Sequence, residues 1–536
     1  MHGFAYIRFL PLIVLMLCVP LGVFLAPGLP FWGGLILGIA ALGSGIGIYD
    51  LIQSRHAVLK NYPVLARIRF LLEGIRPEIR QYFLESDHDE VPFSREQRAL
   101  VYQRAKKLEG LRPFGSLKNQ QRVGHEWINH SIAPRHIEDN DFRVLFGGET
   151  CKQPYQSSVL NISGMSYGAL SPNAIEALNT GARMGGFAHT TGEGSISRYH
   201  RAPGGDLIWQ IGSGYFGCRT AEGRFDPEAF ARQAATDQVR MIEVKLSQGA
   251  KPGHGGILPG RKVTETIAEA RGVPFGEDCI SPATHSAFST PLELIGFIDE
   301  LRALSGGKPV GIKLCVGHPW ELFAIAKAMI ETGSQPDFIT VDGAEGGTGA
   351  APVEFADHIG APLREGLMLV HNTLTGLTLR EKTRIVASGK LISAFDIARI
   401  CALGADSCNM GRGFMFALGC IQAQTCHSGK CPTGVTTQEP GRYRALNVAD
   451  KSRRVANFHA STLRALKETV GASGQGHPSE LSPHHLMIRI NSREVRSAAS
   501  QYPWLEPGSL LSKKTAHPAF AKFWQMARPD SFSAVA

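Results

Sequence analysis

Several features that a chain of 536 residues could carry are missing here. There is no CxxC pair and no paired cysteine-histidine spacing of the kind a structural zinc uses, although His427 stands between two cysteines. The ten cysteines are Cys18, Cys151, Cys218, Cys279, Cys315, Cys401, Cys408, Cys420, Cys426 and Cys431. They form no dense, evenly spread framework, which disfavours a secreted disulfide scaffold and points to a reducing compartment. The 60 glycines build no repeat, so low complexity is excluded and tight backbone approaches are expected instead. No dinucleotide-binding fingerprint is read after any strand, so an NADPH site has no support in the sequence.

With 43% hydrophobic residues, the chain can bury a large core as a few domains or as one barrel with extensions. Its net charge of +9 is partly local. Phe9 to Leu25 and Phe31 to Ile48 are uncharged runs separated only by Ala26-Pro-Gly-Leu-Pro30, each near the length a helix needs to cross a bilayer. They predict a transmembrane helical hairpin. A cleaved signal peptide is the rival, but the second run would still stop transfer, and no small-x-small site follows the first. Arg8 precedes the pair, and Arg55, Lys60, Arg67, Arg69, Arg76 and Arg80 follow it against only Glu73 and Glu78. The positive-inside rule then predicts a two-pass protein of the cell membrane with its body in the cytoplasm. Residues 55 to 80 read as a face for anionic lipid and not as a nucleic-acid patch. From Tyr82 to about His130 the pattern is charged and mostly helical, with Ser94 and Gln97 spaced for a capping box. The expected divisions are 1–50 (membrane hairpin), 51–150 (basic juxtamembrane and helical linker), 151–440 (catalytic barrel) and 441–536 (C-terminal helical extension).

After Gln156, short apolar runs alternate with helical stretches: Val159–Ile162, Phe187–Thr190, Leu207–Ile211, Met241–Leu246, Pro309–Leu314, Phe338–Val341, Arg384–Ala387 and Ser407–Met410. Eight buried strands separated by helices predict an α/β fold, a (β/α)8 (TIM) barrel whose chemistry sits on the loops after the strands. Those loops carry Ser163, Met165 and Ser166; Glu193; Gln210 and Ser213; Lys245, Gln248 and Lys251; Lys313; Asp342, Gly346, Gly347 and Thr348; Gly389 and Lys390; and Gly411 and Arg412. Glycine amides after the seventh and eighth strands are the usual phosphate cradle of this fold. Just beyond lie Cys420, Cys426 and Cys431, separated by five and four residues and closed by Pro432. Three thiolates on one loop suit a 3Fe-4S cluster, or a 4Fe-4S cluster with one other ligand; three incidental thiols are the plain alternative. A phosphate site, lysines at the fourth and fifth strands and an Fe-S loop together imply a flavin with an electron relay.

The segment from about Ser157 to Gln438 resembles the FMN-binding synthase domain of glutamate synthase. The resemblance rests on Ser163-Gly-Met-Ser-Tyr-Gly-Ala-Leu-Ser171, Thr191-Gly-Glu-Gly194, Gly249-Ala-Lys-Pro-Gly-His-Gly-Gly256, Leu258-Pro-Gly-Arg-Lys-Val263, Gly346-Gly-Thr-Gly-Ala350, and Leu418-Gly-Cys420 through Cys431-Pro-Thr-Gly-Val435. It implies FMN, a 3Fe-4S centre on Cys420, Cys426 and Cys431, and reductive amination of 2-oxoglutarate by ammonia to L-glutamate. Lys251 and Glu193 match family residues at the substrate, the first to orient a dicarboxylate and the second to move a proton. Lys313 would lie at the flavin N1-C2 edge, where a cation stabilises the reduced ring. Gln210, Ser213, Lys245 and Gln248 are candidate flavin contacts, and His285 and Asp342 are within range.

There are departures. Where the family commonly has Gly-Glu-Gly-Gly-Gln, this chain has Gly253-His-Gly-Gly-Ile257, which removes a polar contact to the dicarboxylate. Where an acidic Asp-Gly-Gly often follows the seventh strand, it has Ser388-Gly-Lys390. No glutaminase domain is read, so ammonia is expected from outside the chain, and the electron donor is unidentified. Two rival functions remain: an N-methylglutamate synthase-type amine enzyme, and a non-catalytic membrane-bound flavin electron carrier.

Overall fold

The computed structural model describes residues 7–53, 57–86, 92–108, 110–149, 151–512 and 517–535. The chain divides into two compact units, Met1–Glu90 and Val91–Ala536.

In the first unit, Pro30–Ile52 is the one described helix long and apolar enough to cross a membrane. The preceding run forms a shorter apolar helix, Leu10–Leu25, with Pro20 inside it. The expectation of two spans is therefore corrected. At 16 residues the first helix rises only about 24 Å, short of a hydrocarbon core of about 30 Å. The two helices pack together through small residues. A methyl group on Gly22 would lie 2.7 Å from the Leu37 backbone nitrogen, an approach open only to glycine. At the far end of the longer helix the Asp50 carboxylate is buried and paired with Arg67 at 2.7 Å.

The second unit is organised by a closed parallel barrel. Its strands are β1 (Leu160–Ile162), β2 (His189–Thr190), β3 (Leu207–Ile211), β4 (Val239–Lys245), β5 (Val310–Leu314), β6 (Phe338–Asp342), β7 (Arg384–Ser388) and β8 (Ser407–Met410). Closure comes from β8 pairing with β1, Cys408 opposite Leu160 and Met410 opposite Ile162. All eight expected strands form, because a parallel strand covered on both faces must be an apolar run. The second is shorter than expected. Phe187 has left the ladder to stack on His459 with ring centroids 4.0 Å apart.

The helix Val448–Ala472 lies on Pro172–Gly185, with Val455 against Gly181 and Phe458 edge-on to Phe414 at 5.2 Å. Burying Phe458 alone is worth about 1.5–3 kcal/mol. The C-terminal extension is not wholly helical: Leu486–Arg489 pairs antiparallel with both Glu126–Ile128 and Val495–Ser497. The helix Arg95–Ala105 starts with the expected capping box, Ser94 Oγ accepting from the Gln97 amide at 3.1 Å. The helical pattern expected beyond it fails, since the described residues from Lys106 to His125 form only turns and bends. Gly110, Pro113, Gly115 and Gly124 explain why.

The longest excursion leaves β4 and returns at the helix Pro291–Leu304. It carries an antiparallel pair, Gly256–Leu258 with Cys279–Ser281, and the short helix Glu265–Arg271.

Candidate active site

The C-terminal ends of the strands surround a cavity of about 860 Å³, within the size range of cofactor sites. Its wall includes the predicted residues Ser163, Met165, Ser166, Glu193, Gln210, Gln248, Lys251, Lys313, Gly346, Gly347, Thr348, Gly389, Lys390, Gly411, Arg412 and Cys426. Ser213 and Lys245 do not line it; they face a small neighbouring pocket shared with Glu193, Gln248 and Lys251. The Ser213 hydroxyl is taken by the Pro282 carbonyl.

The floor is a network in which buried groups answer one another. The Lys313 Nζ stands 3.4 Å from Asp342 Oδ2, which also accepts from the Gly249 amide at 2.8 Å. Burial would push the Lys313 ammonium down, but the carboxylates of Asp342 and Glu243 outweigh it and hold the group above its ordinary value. Glu243, on β4, accepts from Gln210 Nε2 at 2.5 Å and from Thr340 Oγ1 at 2.6 Å. Glu243 was missed in the sequence, where it reads as one charge in an apolar run. Gly249 must be glycine, since any side chain there would overlap the Gly343 carbonyl.

Above the floor, Glu193 is ion-paired with Lys245 at 2.7 Å, and Lys245 also donates to Gln248 at 3.2 Å. Burial opposes the Glu193 charge, but Lys245, Lys251 and Arg271 together keep its carboxyl below the ordinary range. Lys251 is lowered by burial, with Glu193 pulling the other way. Arg271 is a second residue the sequence did not single out, because it reads as a basic residue closing a short helix. Its guanidinium is buried on the cavity wall and donates to the Tyr167 carbonyl at 3.0 Å. Its Nε has no partner, and no carboxylate pairs with it among the described residues. Ile257 is 65% exposed, also on this wall. His285 has a structural role, bound to Tyr215 Oη at 3.1 Å and the Lys245 carbonyl at 2.9 Å.

At the ends of β7 and β8, Gly389, Lys390, Gly411 and Arg412 all face the cavity. Gly411 precedes the helix Arg412–Leu418 and offers no side-chain cap to its free amides. Arg412 Nη2 donates to the Thr348 carbonyl at 2.9 Å, which ties the β6 and β8 loops together. These residues fit a phosphate-bearing cofactor. One stretch after β3, Gly212-Ser-Gly-Tyr-Phe-Gly217, does have the literal dinucleotide spacing GxGxxG, contrary to the sequence reading. It opens no helix, since the next begins at Pro227, and Tyr215 and Phe216 are buried, so it lacks the geometry of a pyrophosphate turn.

The cysteine loop abuts the same cavity through Cys426, His427 and Gly429. Cys420 and Cys431 are buried, and none of the three is in a disulfide. Burial raises the Cys420 thiol. At Cys431 burial acts in the same sense, but hydrogen bonds from Thr433 and Thr436 outweigh it and bring the thiol down to about 7, suited to a thiolate ligand. Lys262 donates to the His427 carbonyl at 2.6 Å and puts a cation beside Cys426. Among the described residues, no three His, Cys, Asp or Glu side chains converge tightly enough for a single ion. A cluster of several irons spreads its ligands more widely, and three thiols on one loop fit it in donor type and number.

A closed parallel barrel with a charged, glycine-walled cavity at its C-terminal mouth defines a (β/α)8-barrel enzyme. A family model, "Conserved region in glutamate synthase", matches residues 128–476. A Bacillus subtilis protein described as glutamate synthase large subunit-like protein YerD is 39% identical over 85% of this chain and 94% of its own length. An archaeal-type glutamate synthase [NADPH] from Thermotoga neapolitana is 36% identical over 63% of each chain. The chain belongs to the glutamate synthase family, whose members are oxidoreductases acting on CH-NH2 donors. Among solved structures, a double mutant of flavocytochrome b2 with pyruvate bound is loosely similar, the match covering 90% of this chain and 97% of that one at 12% identity and a TM-score of 0.41.

Proposed function

We propose that this protein reductively aminates 2-oxoglutarate to L-glutamate, with FMN in the barrel cavity, a 3Fe-4S cluster on Cys420, Cys426 and Cys431, and ammonia supplied from outside the chain. The observation that carries this reading is a charge pattern: Glu193 shares the cavity wall with the cations Lys251 and Arg271, while Lys245 pairs with it from the small neighbouring pocket. An electron carrier has no use for such a pattern, whereas a dicarboxylate needs at least two cations to fix it.

In this reading, Arg271 and Lys251 hold the substrate carboxylates. Glu193, kept ionised by its neighbours, takes a proton from ammonium and leaves ammonia free to add to the carbonyl. Lys251, whose proton is loosened by burial, can protonate the departing hydroxyl so that water leaves and the imine forms. FMN, when bound, would supply the hydride that reduces the imine, and Glu193 would return its proton to complete the amine. Lys313 would offer the cofactor a positive charge, and the glycines and Arg412 would hold its phosphate. Pro30–Ile52 anchors the chain in the cell membrane with its body in the cytoplasm, by the basic residues that follow the helix.

The test is anaerobic. Reduced protein mixed with 2-oxoglutarate and ammonium should be reoxidised and yield glutamate; no reoxidation, with flavin and iron intact, would sink the proposal. One observation favours a second reading. The apolar Ile257 on the substrate wall suits a methylated amine, so faster reoxidation with methylamine than with ammonium would select the N-methylglutamate synthase-type reaction.

A further inference from the structure

The catalytic unit carries a surface that the reaction does not use. Between Lys106 and His125, five Lys and Arg residues stand against one acid, Glu109. The described residues of this stretch have no helix or strand before Glu126, and structureless loops of this length in a compact body are usually functional. Its apolar side chains face outward: Phe114 is fully exposed, Leu111 is 80% exposed and Leu117 67%, with Leu108 and Val123 also exposed.

The loop is nevertheless held in place. At one foot, the Ala105 carbonyl accepts from Asn457 Nδ2 at 3.1 Å. At the other, the Gly124 amide donates to the Arg489 carbonyl at 2.8 Å. Midway, Arg112 and Lys118 reach Glu96, and Ser116 and Asn119 close turns by accepting from the amides of Lys118 and Gln121. Phe114 sits at a positive φ of 66°, a conformation that bulky residues adopt rarely and only when their surroundings impose it.

We infer that this loop docks on the anionic face of a lipid bilayer, with Leu111, Phe114 and Leu117 entering the acyl boundary and Lys106, Lys107 and Arg122 meeting the headgroups, while Arg112 and Lys118 brace the loop on Glu96. Aromatic and leucine side chains interleaved with cations are the composition of an interfacial anchor. A second copy of the chain would bring Lys106, Lys107 and Arg122 against the same cations, so charge argues against self-pairing. The inference rests on the membrane reading of Pro30–Ile52, which would keep a bilayer within reach, and it adds a second contact made by the catalytic unit.

The test uses the full chain in nanodiscs of phosphatidylcholine alone and of phosphatidylcholine with phosphatidylglycerol. Backbone amides of 106–124 should exchange about tenfold more slowly in the anionic discs, a protection lost at high salt. A photoreactive benzoylphenylalanine replacing the exposed Phe114 should form lipid adducts. Equal exchange in the two discs overturns the inference, as does an adduct joining two copies of the chain. A chain that does not co-elute with the discs sinks the membrane anchor and the inference together, whereas co-elution with an unprotected loop sinks the inference alone.

Discussion

The floor of the cavity and its outer wall are built in opposite ways. On the floor, Lys313 faces Asp342, and Gln210 and Thr340 both serve Glu243. On the wall, Lys251 and Arg271 share the single carboxylate of Glu193, which is already paired with Lys245 at 2.7 Å. A buried charge that its own protein neutralises is fit to hold a resident group in one place. Cations in excess of the carboxylate beside them favour an anion that comes and goes. On the proposed reading, the cofactor would rest on the floor and the exchanged dicarboxylate would meet the wall.

The comparison can be broken most forcefully at Lys313. Lys313→Met leaves Asp342 buried without its cation, which costs about 3–5 kcal/mol; thermal melting should show the loss, and flavin content per chain should fall with it. Glu243→Gln removes the charged acceptor of Gln210 and Thr340 and should cost about 1–3 kcal/mol in denaturant unfolding, with the KM for 2-oxoglutarate unchanged. Ile257→Gln should lower that KM by about fivefold, the worth of one added hydrogen bond, and leave the melting temperature alone.

The pH dependence sharpens the same contrast. Lys251 is lowered from the 10.5 of an ordinary lysine, so its cation is lost as pH rises through a value below that, and the KM for 2-oxoglutarate should climb earlier on the alkaline side than a free lysine would allow. Lys251→Arg, which keeps its charge, should move that limb upward. Glu193 is lowered from 4.5, so the acidic limb should lie below the ordinary glutamate range.

Much of the floor could be read in the sequence, because barrel strands are apolar runs and their polar ends fall at fixed places. Leu207–Ile211 and Ser407–Met410 form with the bounds expected. Glu243 escaped because nothing local marks an inward-facing acid in mid-strand. Arg271 escaped for another reason: it reaches the cavity only because the excursion after β4 folds back through Gly256–Leu258 and Cys279–Ser281, a long-range pairing with no periodic pattern. The apolar N-terminal runs were legible nearly to their bounds, the first ending at Leu25 as expected, but 16 residues of helix fall short of a bilayer core. The exposed loop after Ala105 was read as helix because its charges and leucines are spaced like one, although glycine and proline interrupt them.

The division between floor and wall is tested most directly at Lys251. The reduced Lys251→Met variant and the unaltered protein would be mixed anaerobically with 2-oxoglutarate and ammonium at equal flavin content. The variant should keep full flavin occupancy and be reoxidised about 100-fold more slowly. Equal rates, or a variant that has lost its flavin, would contradict that division.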